Sequence, residues 1–398
     1  MTHTAPIDLP PESDATTRDR ALYEAGSASG GNNNALIALA AKLSGQSPLA
    51  IGRDIMRHAR SGRGIEVSDY MRYQLWDRDL HPGDAADRFV GAATVWPVAH
   101  AVNSKSWWSA AEDKFVMSQL LAADGLPQPE TVAVIDTASA RGYGRVARIE
   151  TGAALRDVVL SRPAGSLFAK TLDGMVGSGA LALGAADASG LEVPGYGRLA
   201  YDEVISRVFG DAPYLLQTRL KNHPALAPFC TGLTTVRLPA FVMGRDVAVP
   251  MAVMKLATAG NEACAFWRPG NLVCGLDVDT GEVTRVAGRD GPRVAALPDH
   301  PERPGLTGLA LPFWQQVREL HERAVRLFGG IAYQSTDIAI TPDGPVLVEL
   351  NYAGSFDVLQ NGTGKGLLQP EVRDFFAFHG QDFAPKRRGL LRGITGRR

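Results

Sequence analysis

The stretch "TDIAITPDGPVLVELNYAG", Thr336 to Gly354, sets two aliphatic, β-branched runs on either side of Pro342, Asp343 and Gly344. Those three residues preset or permit turn dihedrals, so the reading is a hairpin. It carries a carboxylate inside each apolar run, Asp337 and Glu349. With the centre of symmetry near Asp343, the two acids stand opposite each other, their Cβ atoms roughly 5 Å apart. Asn351, two residues beyond Glu349, shares their face. Like charges directly opposed destabilise a strand pair, so something positive is expected between them. Two carboxylates and an amide oxygen are hard ligands of the kind Mg²⁺ takes, commonly shared with a substrate's phosphates. The hairpin alone leaves two other readings open: ordinary surface acids on a solvated face, or a register one residue off that separates them.

Upstream of the hairpin, "PFWQQVRELHERAVRLF" reads as an amphipathic helix with Phe313, Val317, Leu320, Ala324 and Leu327 on one stripe. It opens with Pro312 and stops at Gly329-Gly330. Further upstream, "LFAKTLDGMVGSGALALG" (Leu167 to Gly184) is a strand-like run, then Gly174, Gly177 and Gly179, then a second strand-like run. Its glycines run G-x-x-G-x-G, the reverse of the dinucleotide fingerprint, with no clear helix after them and no G-K-[ST], so neither a Rossmann turn nor a Walker loop is expected. What remains is a glycine-rich hairpin whose amides can approach phosphates and whose backbone suits a lid, with Lys170 on the first strand as a point charge. The plain alternative is a hairpin with a solvent-facing lysine.

The 398 residues suffice for two or three structural units. Charged residues are 21% of the chain and the formal net charge is −1, so no global basic field is available for nucleic acid. Cys230, Cys264 and Cys274 show no CxxC spacing, which argues against a disulfide framework or a zinc site and fits a reducing cytoplasm. No secretion signal and no run of about 18 apolar residues is present, so no membrane association is expected. The eight histidines form no metal-spaced pair and no G-x-S-x-G occurs, which disfavours a histidine-based hydrolase. The sequence reads as a disordered tail over 1–20, a mainly helical region over 21–130 with "NALIALAAKL" and "EDKFVMSQLLAADG" as its clearest helices, an α+β unit over 131–215, a second over 216–384, and a basic tail over 385–398. No heptad seam announces an oligomer, and the oligomeric state stays open.

Taken in order, a helical "DK" at Asp113-Lys114, a strand lysine with a glycine lid, the strand "LLQTRL" at Leu215, the strand "TTVRL" at Thr234 and the acid/acid-x-Asn hairpin resemble the ATP-grasp superfamily. More closely, the chain resembles the branch termed sugar-transfer-associated ATP-grasp, related to α-L-glutamate ligase-like proteins. The resembling stretches are "EDKFVMSQLLAADGLPQPET", "PYLLQTRLKNHPAL", "GLTTVRLPAFVMG", "NLVCGLDVDTGEV", "HPERPGLTGLALPFWQQV" and "STDIAITPDGPVLVELNYAGSFDVLQ", within about residues 100 to 370. The resemblance implies an α+β ATP-grasp fold, in which two α+β lobes clamp ATP, preceded by the mainly helical N-terminal region. It implies that Lys114 and Lys170 neutralise the α- and β-phosphates and that Gly174, Gly177 and Gly179 fall in the lid. Gln217, Thr218, Arg219 and Leu220 match the linker strand that reads adenine, although many members carry an acid about where Thr218 stands. Arg237 matches an arginine facing the γ-phosphate or an acyl phosphate, and Lys255 is a second candidate for that anion. Asp337, Glu349 and Asn351 match the Mg²⁺ ligands, so the cations that relieve their repulsion would arrive with ATP.

The implied activity is an ATP-dependent carboxylate–amine ligase that turns ATP into ADP and forms a C–N bond through an acyl phosphate. Its substrates would be a small-molecule or peptide carboxylate and an amine, with ATP and Mg²⁺ as cofactors and no nucleic acid partner. Two alternatives are an ATP-dependent kinase of small-molecule hydroxyls and a non-catalytic ATP-binding module. Trp107, Trp108 and Trp267 read as packing or lobe contacts, and His223 and His300 as structural histidines. Asp357 and Gln360 are candidates to line an acceptor pocket.

Overall fold

A computed structural model describes residues 32–174, 177, 179–261, 264, 265, 268 and 270–383. Both tails and Trp267 named above lie outside the described residues. The N-terminal part is helical: α1 (Asn33–Ser44), α2 (Pro48–Ala59), α3 (Val67–Arg72), α4 (Val95–Val102), α5 (Trp108–Glu112) and α6 (Lys114–Ala123). Polar side chains start three of these helices where the first N–H groups lack partners. Asn32 accepts from Ala35, Ser47 from Ala50, and Asp113 from both Phe115 and Val116 at 3.0 Å. The Asp113 cap places Lys114 at the first residue of α6.

Strands begin at β1 (Thr131–Ile135), followed by β2 (Ala147–Ile149), α7 (Gly152–Leu160), β3 (Leu167–Thr171) and β4 (Leu181–Ala182). The short strands β5 (Ala186–Asp187), β6 (Gly190–Val193) and β7 (Gly197–Leu199) form a separate three-stranded sheet, and β8 (Tyr214–Thr218) returns to the first. That first sheet has the order β2-β1-β8-β3-β4 and is antiparallel except between β1 and β2. The "LLQTRL" run is strand only as far as Thr218. Leu155, Val204, Val208, Phe209 and Tyr214 close one core around this sheet.

The second sheet takes β9 (Thr235–Met243), β10 (Asp246–Ala248), β11 (Ala252–Leu256), β12 (Leu272–Leu276), β13 (Val283–Asp290), β14 (Arg293–Leu297), β15 (Tyr333–Thr341) and β16 (Gly344–Asn351). Its order is β14-β13-β12-β11-β9-β15-β16, with β10 paired to β9. One face is covered by α8 (Trp314–Leu327), through Trp314, Val317, Leu320 and Ala324. The other is covered by α4, α9 (Phe356–Thr363) and α10 (Pro370–Phe378), so β15 is buried along its whole length. Each fully buried aliphatic side chain here is worth about 1.5–3 kcal/mol of transfer. Phe313, placed by its spacing on the buried stripe of α8, is instead half-exposed and left-handed (φ 56°) just outside the helix, and Trp314 takes the buried position.

The hairpin has a tighter turn than its symmetry about Asp343 implies, because Thr341 pairs with Gly344 across a two-residue loop. That turn on its own would set Asp337 opposite Val348. The register shifts between Asp337 and Ile338, which pairs with Leu347, so Val348 is an extra residue and Asp337 stands opposite Glu349 after all.

Candidate nucleotide and phosphoryl-transfer site

Three adjacent strands bring the cationic and acidic residues together. Arg237 on β9 lies opposite Asp337 on β15 and opposite Val253 on β11. Lys255, two residues after Val253, shares that face. Arg237 donates from Nε to Asp337 Oδ1 at 2.8 Å and from Nη2 to Oδ2 at 2.6 Å, and Lys255 Nζ donates to Oδ2 at 2.8 Å. All three side chains are buried. Burial alone would raise the Asp337 carboxyl, but the charges of Arg237 and Lys255 hold it well below the usual carboxylate range. Burial likewise works against the Arg237 cation, and Asp337 more than offsets it, so the guanidinium stays charged.

Glu349, on the facing strand, has a different set of neighbours. Lys114 Nζ lies 3.4 Å from its Oε1 and also donates to the Gly174 carbonyl at the start of the glycine loop. Lys170 Nζ donates at 3.2 Å to the carbonyl of Val348, the bulged residue. Burial lowers the Lys170 amine to about 8, with Glu349 pulling it up and Lys114 pushing it further down. The repulsion between the two acids is therefore relieved by the protein's own cations, Arg237 and Lys255 on one carboxylate and Lys114 on the other. This differs from the expectation that arriving metal would do so, and the reason is that three cationic side chains contact the two acids.

Asn351 turns its NH₂ toward Asp337 Oδ2 at 3.5 Å, and its carbonyl oxygen has no partner among the described residues. Glu349 has side-chain exposure of 29%, against 5% for Asp337. Glu349 and Asn351 thus present hard oxygen atoms to the cleft, while both oxygens of Asp337 are engaged. That donor set fits Mg²⁺, with Asp337 joining only by yielding one of its cationic partners.

A cavity of about 470 Å³ opens between the two sheets, lined by Lys170, Phe168, Ala182, Gln217 and the Thr218–Asn222 segment. Its size is that of an ordinary small-molecule site. In the strand end that lines it, the Thr218 N–H is taken by the Glu130 carbonyl and the Arg219 N–H by Ser166. The Leu220 N–H has no partner among the described residues. Gly177 and Gly179 adopt left-handed φ values of 72° and 71°, which side chains resist. Arg268 from the loop after β11 donates to the Gly177 carbonyl at 3.1 Å, so the glycine loop is held from the opposite side of the cleft as well.

Three contributors escaped the sequence reading. Glu130 accepts from Thr218 Oγ1 at 3.0 Å and is gripped by Arg162 at 2.9 Å through both oxygens, which places a carboxylate beside Thr218. Asn103 donates to the Tyr333 and Tyr352 carbonyls at 2.9 and 2.6 Å and accepts from the Tyr333 N–H at 2.8 Å, tying together the hairpin's open end. Val348 supplies the carbonyl for Lys170. Pairing across 88, 178 or 230 residues, or a single-residue bulge, leaves no mark in local pattern.

Asp357 and Gln360 do not line the cleft. Gln360 is buried, accepting from Val90 and Leu367 and donating to Val90 and Tyr73, so its amide is spent on joining α9 to the N-terminal region. Asp357 is buried beside Arg72 at 3.7 Å and accepts from the Val358 N–H within its own helix. Trp108 stacks between His100 and Tyr352, and Trp107 packs edge-on against Phe328, as lobe contacts. His223 and His300 accept backbone N–H groups through Nδ1 within their own loops.

No curated protein matches the chain. Among solved structures, the ATP-grasp ligase PsnB complexed with minimal precursor is 16% identical, with a TM-score of 0.37, covering 70% of this chain and 64% of its own. The D-cycloserine synthetase DcsG is 17% identical, with a TM-score of 0.39, covering 73% of this chain and 77% of its own. The D-Ala:D-Ser ligase VanG from Enterococcus faecalis is 14% identical, with a TM-score of 0.39, covering 70% of this chain and 64% of its own. The chain thus spans under two thirds of the length of the PsnB and VanG structures. The sequence profile of sugar-transfer associated ATP-grasp proteins matches residues 98–373, which hold every candidate residue of the site. The chain belongs to the sugar-transfer-associated ATP-grasp family.

Proposed function

We propose that the protein is an ATP-dependent carboxylate–amine ligase. The observation that carries this is the convergence of Lys114, Lys170, Arg237 and Lys255 with, among the described residues, two acids, Asp337 and Glu349, beside a nucleotide-sized cavity. A buried excess of positive charge is costly unless an anion completes it. A triphosphate together with a substrate carboxylate has that chemistry. In this reading Leu220 N–H meets the adenine, Lys170 and Lys114 meet the α- and β-phosphates, and the loop through Gly174, Gly177 and Gly179 closes over them. Glu349 and Asn351, with Asp337, hold Mg²⁺, which supplies further neutralisation of the phosphates when bound.

A carboxylate oxygen attacks the γ-phosphorus, the bond to the β,γ-bridging oxygen breaks, and ADP leaves with that electron pair. Arg237 and Lys255 stabilise charge on the transferring group, which is where such reactions gain most of their rate. An amine then adds to the acyl carbon of the mixed anhydride, phosphate departs, and the amine's proton is released. Excluding water under the closed loop protects the acyl phosphate from hydrolysis. Three cysteines without a CxxC pattern suit a reducing cytoplasm. Among the described residues no single helix is long and apolar enough to cross a membrane.

The test is incubation with ATP, Mg²⁺, hydroxylamine and pooled low-molecular-mass acids, read by mass spectrometry. Hydroxamates together with ADP are expected. Stable phosphoesters without hydroxamates would replace the ligase by a hydroxyl kinase, and no nucleotide turnover with any pool would leave only an ATP-binding module.

A further inference from the structure

On the far side of the N-terminal region, α2 and α10 wall a groove of about 1730 Å³ that shares no residue with the nucleotide cavity. Its α2 wall lies outside residues 98–373 and so is not part of the family match. The solvent side of α2 and the residue that ends it carry Leu49, Arg53, Met56 and Arg60 at three- and four-residue spacing, a continuous stripe. Leu49 and Met56 are 64% and 48% exposed, an unusual cost for a helix whose inner face is already satisfied by Ile51 and Ile55. Phe376 of α10 adds an apolar floor.

The groove is also strongly cationic. Five arginines line it, Arg53, Arg57, Arg60, Arg63 and Arg373, against two acids, Asp87 and Asp382. Arg57 and Arg63 share Asp87, both at 2.9 Å. Arg53, Arg60 and Arg373 have no carboxylate partner among the described residues; Arg373 reaches only the Leu368 carbonyl, at 3.2 Å. An apolar stripe flanked by unpaired guanidinium groups matches a peptide that alternates aliphatic side chains with carboxylates.

We propose that this groove is the docking site of the chain's own acidic segment "PIDLPPESD", Pro6 to Asp14. That segment carries Asp8, Glu12 and Asp14 with no basic residue, and offers Ile7 and Leu9 on either side of Asp8. Seventeen residues, 15–31, connect it to Asn32 at the start of α1. At about 3.3 Å per residue they reach roughly 55 Å, about three times the length of a twelve-residue helix at 1.5 Å per residue. The ends therefore meet within one molecule, and the linker keeps the local concentration high.

The test is amide hydrogen exchange on the full chain and on three variants: Asp8→Lys/Glu12→Lys/Asp14→Lys, Arg53→Glu/Arg60→Glu, and the two sets combined. These residues lie outside the nucleotide site, and melting temperature checks that each variant folds. Expected is exchange at least about fivefold faster in residues 48–60 and 370–380 for either reversal alone, recovery in the combined variant, and loss of the difference in 0.5 M salt. Exchange that tail reversal leaves unchanged would overturn the proposal. So would protection that appears only as protein concentration rises, which would assign the groove to a second molecule.

Discussion

Replacing Asp337 by Asn removes the carboxylate that Arg237 and Lys255 share while keeping its shape. The variant leaves two buried cations facing each other across neighbouring strands. Removing one partner of a buried, hydrogen-bonded ion pair costs about 3–5 kcal/mol, because the desolvated charge left behind is uncompensated. Arg237 keeps its charge at every accessible pH, so the loss does not vanish. Against a total of about 5–15 kcal/mol for a typical domain, a folded but visibly weakened protein is expected. Urea unfolding at pH 7, followed by tryptophan fluorescence, measures the difference.

The pH dependence gives a second constraint. The folded Asp337 carboxyl is depressed, so its contribution is complete above the unfolded carboxyl pKa near 3.9 and is lost as pH falls toward the lower folded value. The gap between wild type and variant is therefore widest near neutrality and narrows below about pH 4. Inorganic phosphate, an anion able to stand between the two cations, should raise the midpoint of Asp337→Asn more than that of the wild type. A difference under about 1 kcal/mol at pH 7, or one that stays constant down to pH 3, would refute the claim that Asp337 anchors these cations.

Two further outcomes follow from the same site. The Lys170 amine, lowered by burial to about 8, lies below the unfolded lysine value, so the unfolded chain binds more protons between about pH 8 and 10.4 and stability should rise with pH across that window. Nucleotide affinity should fall through the same lower bound as the amine loses its charge, and Lys170→Met should abolish both inflections; isothermal titration with ATP at pH 7 and 9 reads the second. Glu130→Ala should weaken ATP binding about fivefold to tenfold while leaving the affinity for inorganic triphosphate unchanged, since the carboxylate stands beside Thr218 and away from the lysines. Equal losses for both ligands would show that Glu130 acts only as a surface strap.

The hairpin was legible because turn residues flanked by β-branched runs specify it locally, and a carboxylate in an apolar run is conspicuous. The same holds for the helix that carries Lys114, and for the glycine loop after Lys170. Phe313 was misplaced because spacing alone does not say where a helix starts, and a left-handed residue can shift the first buried position by one. Gln360 looked like a pocket residue for its nearness to the hairpin, yet its amide is consumed by Val90, Leu367 and Tyr73, contacts that no local pattern reveals.

Residue type and order alone determined that Glu349 and Asn351 would share one face of their strand, with two lysines in fixed places ahead of the hairpin; that Asp337 stands on that same face was decided by the bulge at Val348. Only tertiary structure decided how the charges pair, giving Asp337 to Arg237 and Lys255, Glu349 to Lys114, and the Val348 carbonyl to Lys170. The reason is that strand propensity and turn chemistry act over a few neighbouring residues, whereas charge pairing depends on which strands a sheet makes adjacent and on a bulge that moves one register by a single residue.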